Sequence, residues 1–135
     1  MLLGGLSDEM ARSRYAPGKW SVKEVVGHVA DTERVMSYRA LRFGRGDQTP
    51  LAGFEQEDFV RGASWDEVPL AVLLDDLTSV RRATLSLFRG FSDDALARQG
   101  TANGTPVTVR ALAAIITGHE RHHLRILRER DLNAR

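Results

Sequence analysis

Three long stretches of this chain set their apolar residues three and four apart, the spacing that gathers side chains on one side of an α-helix. In the first, Val22, Val25, Val26, Val29, Met36, Ala40 and Phe43 share a face. Ser21 followed by Glu24 forms a capping box ahead of them, and Gly44 and Gly46 stop the run. The second spans about residues 69–89. Pro69 stands in its first turn, where it has no donor to lose, and Leu70, Leu73, Leu74, Leu77, Val80, Thr84 and Phe88 form the stripe that Gly90 closes. The third runs from a cap at Thr108 to about Arg130, with Val109, Leu112, Ala113, Ile116, His119, His123 and Ile126 on one face. A chain of 135 residues with this pattern is expected to form one all-α domain over 1–135, a helical bundle.

The segments between are less regular. Ser7 to Arg12 and Ser92 to Arg98 each read as a capped helical turn or two. Asn103-Gly104, within Gly100 to Pro106, is a tight-turn signal that serves a small hairpin or a simple turn equally well. Gly44 to Ser64 is a long connection with glycine, proline and little periodicity. Connections of that length in a compact domain cross over the fold or line a site.

All 4 histidines fall on two of the three long helices, and the chain has 0 cysteines. His119 and His123 are four apart, so their imidazoles lie on one face a turn apart, within reach of one ion. They continue the apolar stripe rather than the solvent face, and buried imidazoles need a partner. His28, in the middle of the first long helix, supplies a third ligand. Three imidazoles with an open position make the pattern of a reactive metal site rather than a structural one. A solitary H-x-x-x-H is weak evidence; the apolar placement and the third histidine strengthen it.

Neighbouring residues admit more than one role. His122 points about a quarter turn from His123, as a hydrogen-bond partner behind the ligands, an acid–base group or a helix-edge residue, and with Arg39 it is a candidate substrate-binding residue. Glu120 completes an H-E-x-x-H pattern with His119 and His123, but so short a motif recurs by chance, and a solvated glutamate is the simpler role. Arg39, eleven residues after His28, returns to within roughly 20° of its direction about three turns along. It is a candidate for holding an anionic group of a substrate, or for a salt bridge. Asp31 and Glu33 are candidates to orient an imidazole, with a structural ion pair the better use of Glu33.

A net charge of +1 argues against a nucleic-acid binder, whose footprint is a strongly basic face. Without cysteine there are no disulfides, no zinc–thiolate site and no cysteine nucleophile. The N-terminal MLLGGLSDEM is not a secretory signal, and no segment reaches the ~18 consecutive apolar residues of a membrane span. A soluble cytoplasmic protein acting on a small molecule is expected, with no nucleic-acid or membrane partner.

The segments YAPGKWSVKEVVGHVADTERVMSYRALRFGRGD, PLAGFEQEDF and GTANGTPVTVRALAAIITGHERHHLRIL resemble the DinB/YfiT superfamily of damage-inducible helical proteins of bacteria, from about Leu6 to Leu132. The resemblance implies an up-and-down four-helix bundle with a long crossover loop. It also implies a divalent ion, zinc or nickel foremost, on His28, His119 and His123. Characterised members include thiol transferases using bacillithiol or mycothiol and a mycothiol-dependent isomerase. The expected function is therefore a metal-dependent transferase that activates a low-molecular-weight thiol for attack on a small electrophile. A hydrolase using water activated by the ion is the alternative, and a non-catalytic metal-binding stress-response protein a third. Few residues precede GLSDEMARSRYAPGKW, so the first long helix of the family is expected to be shortened or missing here. The apolar seam so exposed favours a homodimer.

Overall fold

The computed structural model describes residues 3–132, with side chains as far as Arg130. Its elements are α1 (Asp8–Ala11), α2 (Val22–Gly44), α3 (Gln56–Ala63), a 3₁₀ turn (Trp65–Glu67), α4 (Leu70–Arg89), α5 (Asp93–Ala97), β1 (Gln99–Ala102), β2 (Thr105–Thr108) and α6 (Val109–Ile126), which continues as π-helical turns over Leu127–Leu132. The architecture is the expected helical bundle with a long crossover. Among the described residues no helix is long and apolar enough to cross a membrane.

α2 is the central helix, and both α4 and α6 pack along it. Its start is fixed by reciprocal bonds: Glu24 N–H donates to Ser21 Oγ at 3.1 Å, and Ser21 N–H donates to Glu24 Oε1 at 2.9 Å. A cap of this kind contributes about 1 kcal/mol. A second device pins the same end. The fully buried Lys23 ammonium lies 3.3 Å from Asp8 Oδ1 and donates to the Asp66 carbonyl at 3.3 Å, while Asp8 accepts from Leu70 N–H at 2.7 Å. One lysine thus ties α1, the 3₁₀ turn and the start of α4 to α2.

Two apolar clusters occupy the two ends of α2. Val22, Val25, Val26 and Val29 meet Leu3, Leu70, Leu73 and Leu127 at one end. Ala40 and Phe43 meet Ala102, Val109 and Leu112 at the other. Polar side chains lie along the middle of the helix. Glu33, only 2% exposed, accepts from Arg81 of α4 through both oxygens at 2.8–3.2 Å, and the same guanidinium donates to Glu120 of α6 at 2.8 Å. One arginine therefore joins all three long helices. Glu33 is in the structural ion pair expected of it. Glu120, read from the sequence as a solvated side chain, is corrected to a member of that pair.

The Asn103-Gly104 signal makes a hairpin rather than a simple turn. β1 and β2 pair antiparallel from Gln99↔Thr108 to Ala102↔Thr105, and Asn103 (φ 51°) and Gly104 (φ 74°) take the left-handed conformations that a two-residue turn requires. Leu51 of the crossover adds a single parallel bridge to Ala102, with Leu51 N–H donating to Thr101 O and Asn103 N–H donating to Leu51 O, both at 2.9 Å. The long connection is not featureless either. It contains α3, whose single buried residue is Val60, and it is followed by the 3₁₀ turn. A Cβ at Gly27 would overlap the Trp65 ring, so glycine at that point of α2 lets the 3₁₀ turn lie directly against the helix.

Candidate metal centre

His28 of α2 is 3% exposed, and His119 and His123 of α6 are half-buried. The running of α2 and α6 side by side brings one helix's ligand between the other's two. A ligating nitrogen from each of the three lies within 4.8 Å of the others. Nε2 of His28 and Nε2 of His119 are 3.0 Å apart, and ring centroids are 4.5–4.9 Å apart across the three pairs. Two nitrogens bound to one zinc at about 2.0–2.1 Å in a tetrahedron stand about 3.3 Å apart, so the cluster is close to the size an ion requires.

The electrostatics agree. Burial, then the neighbouring His119 and His123, push His28 down to about 3, and burial with His119 and His122 pushes His123 to about 4. His119 is lowered by burial and by His122. Neutral imidazoles at neutral pH keep the lone pairs that ligation uses. One turn along α2 from His28, the buried Thr32 hydroxyl has no hydrogen-bond partner among the described residues, although the helical threonines Thr78, Thr84 and Thr117 each donate to the carbonyl four residues back. On these observations the residues fit a divalent ion.

A cavity of about 240 Å³ opens at His123, walled by Tyr15, Gly18, Lys19, Trp20, Val25, Glu57 and Ile126. Trp20 is the wall shared by cavity and histidines. Its ring centroid is 4.7 Å from that of His28 and 6.3 Å, nearly parallel, from that of His123. Its indole N–H donates to Glu57 Oε2 at 3.2 Å.

The remaining residues singled out in the sequence lie elsewhere. His122 is exposed, on the outer side of α6, with its ring 5.2 Å from that of His123. Arg39 is 8% exposed and sits toward the other end of α2, donating to Ala52 O at 3.1 Å and standing 6.0 Å from the Phe54 ring. Burial lowers its pKa, and it has no carboxylate partner among the described residues. Neither Asp31 nor Glu33 touches an imidazole: Asp31 is 3.9 Å from Arg34, and Glu33 is taken by Arg81. Trp20 and Glu57 were missed by the sequence reading. They are 37 residues apart, and no local spacing joins them.

A central helix flanked by two others, a long crossover and three histidines meeting between the first and last long helices define a class of helical bundle built around a prospective metal centre. The chain belongs to the DinB superfamily, whose profile matches residues 1–127. It is 28% identical over 126 residues to a protein of Geobacillus thermodenitrificans named "Putative metal-dependent hydrolase", covering 90% of this chain and 69% of that one. A protein of Oceanobacillus iheyensis with the same description is 26% identical over 125 residues, covering 90% and 70%. Among solved structures, YfiT from Bacillus subtilis, a four-helix bundle of unusual topology, superposes with a TM-score of 0.76 at 18% identity, covering 90% of this chain and 71% of that one.

Proposed function

We propose that this protein is a metal-dependent hydrolase of small molecules, with His28, His119 and His123 holding a divalent ion. The observation that carries the reading is the meeting of three neutral imidazoles, one of which, His123, lines a cavity small enough for one modest substrate. The names of the relatives from Geobacillus and Oceanobacillus support the same chemistry. A divalent ion held by three imidazoles supplies Lewis acidity toward water and a substrate carbonyl.

The chain's own residues do the rest. Of the three imidazoles, His123 is the one that reaches the wall of the cavity. Trp20, Tyr15 and Ile126 give the cavity an apolar body that excludes bulk water from a small substrate. Lys19 and Glu57 place one cation and one carboxylate on its wall, so a substrate with a polar end is oriented rather than merely trapped.

The test is elemental analysis of tag-free protein, followed by turnover of a panel of small esters and amides with and without added thiol. Near-stoichiometric zinc or nickel, lost in His123→Ala, with hydrolysis in the absence of thiol is the expected result. Consumption of a low-molecular-weight thiol against a chlorinated nitrobenzene, with no thiol-free hydrolysis, would replace the hydrolase reading by the thiol-transfer one. Metal without either chemistry would leave a non-catalytic binding protein.

A further inference from the structure

Ligand imidazoles are ordinarily held in orientation by a hydrogen bond from the second ring nitrogen to a carboxylate or carbonyl. Among the described residues no such bond is made by His28, His119 or His123; their one ring-nitrogen contact is the one between His28 and His119. Trp20 packs against one ligand from each helix, tilted by 53° on His28 and within 25° of parallel to His123.

The indole is itself held at both ends. Its backbone immediately precedes the Ser21 cap, so the start of α2 fixes where the side chain departs. Its N–H is held by Glu57 in the first turn of α3. We propose that Trp20 is a positioning residue for the ligand histidines, doing by packing what a hydrogen-bonded carboxylate does in other metal centres, and that Glu57 sets the indole for that task. The crossover helix α3 is thereby coupled to the geometry of the centre. This rests on the reading that the three histidines hold a divalent ion.

The experiment measures zinc affinity by competition with a chromophoric chelator, and the visible spectrum of the cobalt-loaded protein. It compares the wild type with Trp20→Ala, Trp20→Phe, Glu57→Ala and Glu57→Gln. Trp20→Ala is expected to weaken zinc binding about 10–100-fold, the usual effect of removing a ligand's support, and to alter the cobalt spectrum. Glu57→Ala is expected to shift both in the same direction by less. Glu57→Gln is expected to restore both, because its amide oxygen still accepts the indole N–H.

A Trp20→Ala protein with a native circular dichroism spectrum and wild-type affinity and cobalt spectrum would overturn the proposal. If that variant does not fold, Trp20→Phe and Glu57→Ala carry the test, and wild-type values in both would overturn it equally. A Glu57→Gln protein as impaired as Glu57→Ala would show that the carboxylate charge acts, and would remove Glu57 from the positioning role. Failure of the wild type to bind zinc or cobalt would overturn the metal reading itself, before any variant is compared.

Discussion

Nε2 of His28 and Nε2 of His119 lie 3.0 Å apart, although 91 residues separate them in the chain. Two imidazole nitrogens at that distance share either a proton or an ion, and the presence of His123 within the same cluster favours the ion. Single His28→Ala, His119→Ala and His123→Ala proteins are each expected to lose most bound metal. His122→Ala, whose side chain is exposed outside the cluster, is expected to keep it. Metal-to-protein ratios after gel filtration check this; retention in all three ligand variants would dismiss the centre.

The metal-free protein is expected to lose stability as pH falls from about 6.5 to about 3. His28 and His123 are held near 3 and 4 in the folded chain against 6.5 for an unperturbed imidazole. Below the unperturbed value the unfolded chain binds protons that the folded chain refuses, so unfolding is favoured as pH falls through this window. Above it both states are neutral, and stability from this source is constant. Urea midpoints measured after chelation, between pH 8 and pH 4, are expected to fall in the wild type and to fall less in a His28→Gln variant.

Arg81→Met is expected to destabilise the fold by about 2 kcal/mol, because it strands the buried Glu33 carboxylate; the full cost of breaking a buried pair is moderated by water at the partly exposed guanidinium. Arg81 side-chain exposure is 34%, against 2% for Glu33. Adding Glu33→Gln to the same protein is expected to recover part of the loss. Thermal melts of the two variants decide it, and a double variant no better than the single one would show that the pair is not what holds α4 to α2.

Gly27 and Gly118 are expected to respond to alanine with opposite signs. At Gly27 a methyl group meets the Trp65 ring, an overpacking that costs about 1–3 kcal/mol. At Gly118, inside α6, a Cβ meets nothing within 4 Å, and alanine is expected to stabilise by about 0.5–1 kcal/mol through the unfolded chain's lost freedom. Chemical denaturation of both proteins tests the contrast.

Much of this molecule was legible from local chemistry. The Ser21–Glu24 box, the Pro69 start and the Thr108 cap mark α2, α4 and α6 within a residue or two of their beginnings, because the caps of α2 and α6 are made by residues near in sequence and the Pro69 ring presets the entry to α4. The histidine cluster was legible because helical spacing puts His119 and His123 together, and a burial pattern puts His28 on the facing helix. α3 was not legible. A helix that buries only Val60 carries no stripe, and its Phe59 is 41% exposed. The contacts of Glu120 with Arg81 and of Trp20 with Glu57 join residues 39 and 37 positions apart, so they depend on how the helices dock rather than on any local pattern.

The connection between α2 and α4 is anchored along most of its length: Leu51 is paired with the hairpin, Glu57 with Trp20, and Trp65 with the bare backbone at Gly27. The stretch from Gln48 to Pro50 is exposed, with Thr49 N–H donating to Asp47 Oδ1 at 2.9 Å. Extra residues there leave the wall of the cavity in place, whereas an insertion between Glu57 and Trp65 disturbs the bond from Glu57 to Trp20 or the seat of Trp65 at Gly27. Length variation in this crossover has one place to go, and it is the end remote from the chemistry.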